Sequence, residues 1–149
     1  MSKLFKKLNL GDLAEILVVN APASFEIELN QLPDVRIHRD PKGIKRTVFV
    51  LGFATTLAEV KRLAKMVVRK TEDDVIVWVA YPKGTSRNYT CEFNRDAGWS
   101  SMGDAGFEPV RQVAIDDDWS ALRFRRVQFI KSMVRKESRR LTGPGNTSA

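Results

Sequence analysis

Cysteine and histidine are almost missing from this chain, each occurring once, as Cys91 and His38. A lone thiol forms no internal disulfide, and without a CxxC pair there is no zinc-binding pattern. One cysteine also fits a reducing compartment. With a single imidazole, no serine or cysteine is tied to a histidine by motif, so nothing reads as a nucleophile with its base. Long apolar runs are missing too. The basic start, residues 1–7, is followed by Asp12 and Glu15 rather than by an apolar stretch. We therefore expect no signal peptide, no membrane span and a cytoplasmic location. No internal repeat of solenoid period is present.

What is there suffices for one domain. The chain has 149 residues, 43% of them hydrophobic, and a domain of this size buries about 70% of its unfolded surface without help from metals or disulfides. The formal charge is +7, and its placement says more than its size. Residues 123–140 hold eight basic side chains and one acid, Glu137, and Lys3, Lys6 and Lys7 lie at the start. What remains, residues 8–122, is net acidic. The charge pattern is a mildly acidic body with a basic C-terminal arm.

The elements can be read in order. Glu15-Ile16-Leu17-Val18-Val19-Asn20 is a short apolar run suited to a strand buried on both faces, and Asn20-Ala21-Pro22 ends it. Ser24 is placed to cap a short helix reaching Gln31. Val35 to His38 reads as a second strand, closed by Asp40-Pro41-Lys42-Gly43, and Thr47 to Phe53 as a third. Thr56-Leu57-Ala58-Glu59 is a capping box opening a helix with apolar residues at Leu57, Val60, Leu63, Ala64 and Val67. A fourth strand covers Asp74 to Tyr81. Residues 85–106 are polar and hold one or two short helices. Phe107 to Ile115 and Trp119 to Val127 are strands joined by a tight acidic turn, and are therefore antiparallel. A basic amphipathic helix is expected over 128–141 and a disordered tail over 142–149, after a basic lead-in over 1–8 and an α/β domain over 9–127.

Strands alternating with helices argue for right-handed crossovers and a parallel sheet. The expected fold is α/β: a Rossmann-like three-layer sandwich, mostly parallel, ending in an antiparallel hairpin as in Rossmann-like methyltransferases. Three segments, Leu17-Val18-Val19-Asn20-Ala21-Pro22, Val79-Ala80-Tyr81-Pro82-Lys83-Gly84 and Ala114-Ile115-Asp116-Asp117-Asp118-Trp119-Ser120-Ala121-Leu122-Arg123-Phe124, together resemble a bacterial family known as domain-of-unknown-function family 3052. The resemblance covers about residues 9–126. It implies the fold and supplies no catalytic residues.

Ligands of open α/β sheets bind beyond the carboxyl ends of the strands. The candidates on that rim are Asn20, Thr55, Lys83, Asp117 and Trp119. In a methyltransferase-like order the sixth strand lies beside the fourth, which brings Lys83 near the acidic turn. No nucleotide cofactor is expected. The loop after the first strand has no glycine, Pro22 has no amide proton, and Asp40, at the second strand's end, sits in a turn before a proline. Asp116, Asp117 and Asp118 match no calcium loop and read as a solvated turn paired with Lys83 or Arg123, so no metal is expected. Trp119 can stack on a ligand or pack in the sheet. Lys131, Arg135 and Arg139 form one stripe of the C-terminal helix. Such a helix can lie on a phosphate backbone, on an anionic membrane, or against its own sheet. The sequence thus points to a binding module whose basic arm contacts a polyanion such as nucleic acid. The alternative is a small-molecule enzyme or sensor using the rim.

Overall fold

The computed structural model describes residues 3–130. Its centre is a six-stranded sheet in the order β2-β1-β3-β4-β6-β5. The strands are β1 (Glu15–Val19), β2 (Arg36–His38), β3 (Phe49–Phe53), β4 (Ile76–Pro82), β5 (Phe107–Ala114) and β6 (Trp119–Arg126). The first four are parallel, and β6 runs antiparallel to both β4 and β5. The helices are α1 (Lys3–Lys7), α2 (Glu26–Asn30), α3 (Leu57–Lys70) and α4 (Ser100–Asp104). The expected sandwich is there, hairpin included. The expected C-terminal helix does not begin at Gln128: Val127–Phe129 form a 3-10 turn and Ile130 is extended, while its remainder, from Lys131, and the tail lie outside the described residues.

Both faces of the central strands are covered, which is why β1 and β3 read as unbroken apolar runs. One face carries Leu17, Val50, Val77 and Val79 under α3 and α4, with Leu63, Met66 and Met102 packed onto them. The other carries Ile16, Val18, Leu51 and Trp78 under α1 and α2. Gly52 of β3 lets α3 settle closely: a β-carbon there would lie 2.6 Å from Leu63 Cδ2. The capping box forms as read, with Thr56 Oγ1 accepting from the Glu59 amide at 3.1 Å.

Two local expectations change. The basic lead-in is no appendage: Leu4, Phe5, Leu8 and Leu10 are buried, and Phe5 packs against Phe25 and Phe49. Ser24 caps nothing. It sits inside a 3-10 turn, Ala23–Phe25, that begins at Pro22, and α2 follows without a side-chain cap. The polar stretch 85–106 holds one short helix, within the expectation of one or two, and two aromatics anchor the stretch. Trp99 stacks edge-on to Tyr81 and Phe93, and its indole N–H donates to the Asn94 carbonyl at 2.9 Å.

Candidate functional site

The strand order reverses direction between β1 and β3, so the rim crevice lies between Asn20 and Ala54. Asn20 adopts the left-handed conformation, φ 62, in the position where glycine is expected after a first strand. Asparagine tolerates that region better than most side chains. Its amide reaches across the crevice toward the Phe53 carbonyl at 3.5 Å.

The rim candidates do not converge. Asn20 opens into a groove along α3. Thr55 is half-buried and spends its hydroxyl on Glu59 Oε1, 3.0 Å away. Lys83 and Ser86 share a separate depression of roughly 870 Å³ with Cys91. Asp117 sits at the exposed tip of the acidic turn. Trp119 is buried, edge-on to Phe53 and against Tyr89, so it packs in the sheet. Lys131, Arg135 and Arg139 lie outside the described residues.

The acidic turn does come beside Lys83, but through backbone: the Lys83 amide donates to the Asp118 carbonyl at 2.7 Å. The expected ion pairs to Lys83 or Arg123 do not form among the described residues. Instead Asp116 Oδ1 accepts the amides of Asp118 and Trp119, and the Asp118 carboxylate accepts from Ser86 Oγ and Asn88 Nδ2. These carboxylates are used to fold their own turn. Burial raises the Cys91 thiol, which opposes thiolate chemistry at neutral pH.

Charge counting along the chain conceals one concavity. Between the β2–β3 connection and α3 runs a groove of roughly 960 Å³. Its floor is Val19, Leu63 and Met66. One wall is Lys42, Lys45 and Arg46, and the other is Arg62, Lys65, Arg69 and Lys70. The two acids present are committed locally. Asp40 caps the turn Pro41–Gly43 by accepting the Lys42 amide at 2.9 Å. Burial alone would raise the Glu59 carboxyl, but donation from Thr55 and Thr56 holds it below its usual value. The lower end is pinned shut. Arg46 pairs with Glu72 at 3.0 Å and donates to the Arg69 carbonyl, while Lys70 Nζ donates to the Ile44 carbonyl. Among the described residues Lys42, Lys45, Arg62, Lys65 and Arg69 have no ion-pair partner. A sequence signal existed: Arg62, Lys65 and Arg69 are spaced three and four apart on one helical stripe.

The start of the basic arm is structural. Arg125 forms a two-point pair with Asp74 at 2.6 and 3.0 Å. Arg126 donates to the carbonyls of Thr71 and Asp73 and lies 4.9 Å over the Phe107 ring.

No family model matches the sequence, and no curated protein does either. Among solved structures the fold is similar to that of a SAM dependent methyltransferase from Aquifex aeolicus. That match has a TM-score of 0.59 at 12% identity and covers 83% of this chain and 88% of that one. A putative type 11 methyltransferase from Sulfolobus solfataricus aligns at TM-score 0.48 and 13% identity, over 91% and 82% of the two chains. A fibrillarin pre-rRNA processing protein from Methanococcus jannaschii aligns at 0.49 and 9%, over 76% and 67%. At such identities the first likeness shows the fold alone: this chain has the Rossmann-like architecture found in methyltransferases.

Proposed function

We propose that the chain is a non-enzymatic binding module that holds a polyanion, such as the phosphate backbone of nucleic acid, in the groove along α3. The observation that supports this is the groove's charge: two facing rows of cations whose acids are already engaged. Unneutralised cations in a shared concavity repel one another, and a phosphate chain between them relieves that repulsion while releasing its own counterions. The apolar floor carries no aromatic ring, so base stacking has no platform and binding is sequence-independent. Arg126, the last residue of β6, donates to the carbonyl of Thr71, the residue after α3.

The residues present do not fit S-adenosylmethionine. Its sulfonium is a cation, and this crevice is lined by cations. Pro22 also contributes no amide to the loop over which a nucleotide would lie.

A labelled single-stranded oligonucleotide at low salt tests the reading. The triple variant Arg62→Gln, Lys65→Gln, Arg69→Gln should bind at least about tenfold more weakly than the parent. Lys131→Gln, Arg135→Gln, Arg139→Gln should lose less. If only the arm variant loses affinity, the contact belongs to the arm. If the parent fails to bind, the reading fails, and the depression around Lys83 becomes the candidate for a small ligand.

A further inference from the structure

On the opposite face of the sheet, two arginines converge on one neutral oxygen. Arg111 of β5 and Arg123 of β6 are cross-strand partners. Arg111 Nη1 lies 3.2 Å from Asn9 Oδ1, and Arg123 Nη1 lies 3.5 Å from the same atom. Like charges directly opposite one another destabilise a sheet. The juxtaposition is made by an irregularity in β5. Pro109 pairs with Phe124 and Arg111 with Arg123, so Val110 is an extra residue on the edge strand. Without that bulge an apolar side chain would oppose Arg123. Bulges re-aim side chains and recur beside functional sites.

The third member is also held in place. Trp78 pairs across β4 with Arg123, and its indole N–H donates to the Leu8 carbonyl at 2.8 Å. That bond fixes the segment carrying Asn9, which stands in the left-handed region at φ 64. Neither Arg111 nor Arg123 has an ion-pair partner among the described residues, and the Asp74 carboxylate is spent on Arg125. Arg123 Nε is buried without a hydrogen-bond partner. Burial and the neighbouring Arg125 both disfavour the Arg123 charge. Asn9 and Arg111 are exposed, so the pair is open to solutes.

We propose that Asn9, Arg111 and Arg123 form a binding site for a phosphate group, separate from the groove. Two guanidinium forks match the oxygens of a phosphate. A half-turn of the Asn9 carboxamide replaces its acceptor oxygen with a donating NH₂. The ligand is either free phosphate or a small phosphomonoester.

The test is a titration of the full chain, followed by amide and indole N–H resonances, with inorganic phosphate in one arm and a small alkyl phosphomonoester in the other. The Trp78 indole, identified with Trp78→Phe, and the amides of Asn9, Arg111 and Arg123 should shift saturably in at least one arm. The arm that saturates at lower concentration identifies the source. Arg111→Gln, at an exposed position, should weaken binding by about tenfold or more. Asn9→Asp supplies the missing carboxylate within the chain. It should raise the melting temperature and abolish the response. All titrations are repeated in the Arg62→Gln, Lys65→Gln, Arg69→Gln background, where the response should persist whether or not the groove binds anything. No saturable shift in either arm overturns the proposal. So does a response that Asn9→Asp and Arg111→Gln leave unchanged, or one that vanishes with the groove variant.

Discussion

At the residue scale, Trp78 serves both the core and the N-terminal segment. It is fully buried in a central strand, and it also supplies the hydrogen bond that docks the segment after α1. Trp78→Ala removes both, and should cost about 3–5 kcal/mol. Trp78→Phe keeps most of the bulk but strands the Leu8 carbonyl, and should cost about 1–3 kcal/mol. Denaturant midpoints separate the two; a melting temperature within a degree of the parent for the alanine variant would show that the site tolerates a cavity. Gly52 is the second telling position. Its missing β-carbon is where Leu63 packs, so Gly52→Ala must displace that side chain and should destabilise by about 1–3 kcal/mol. An unchanged midpoint would show that Leu63 swings away freely.

At the scale of elements, α3 carries most of what the sequence made legible. Its capping box and final basic turn read directly from residues 56–70 and are found; of the expected apolar stripe Val60, Leu63, Ala64 and Val67 are buried, joined by Met66, while Leu57 in the first turn is exposed. The cap also makes stability depend on pH. Glu59 is held below its ordinary value of 4.5 in the folded state. A group so depressed stabilises fully above its unfolded pKa, and the contribution disappears as pH falls through the lower folded value. Glu59→Ala should therefore cost about 1 kcal/mol at neutral pH and markedly less at about pH 3. An equal cost at both would mean that the carboxylate's charge plays no part in the cap. Strand alternation was legible for the same reason as the helix, because burial on one or two faces leaves a periodic trace. Register is not periodic in that way. The bulge at Val110 moves Arg111 opposite Arg123, and no spacing in the sequence announces it. The short helix is found, ending at Asn30, but Ser24 does not cap it, because Pro22 starts a 3-10 turn first and leaves Ser24 inside it.

At the scale of the whole molecule, charge averaged along the chain misleads. The body sums to a net negative value, yet seven of its cations line one groove because a crossover brings residues 42–46 against residues 62–70. The arginines that open the basic arm, by contrast, are drawn into the sheet: Arg125 onto Asp74 and Arg126 onto the end of α3. Among the described residues, seven cations thus line one built groove. Salt dependence tests that claim most directly, because each phosphate neutralised contributes about 0.9 to the log–log slope on duplex DNA. The parent should bind with a steep slope. Removing Arg62, Lys65 and Arg69 together should flatten it by about 2–3 units, while these exposed substitutions leave the melting temperature nearly unchanged. No binding by the parent at low salt, or a slope that the groove variant leaves intact, would contradict the account.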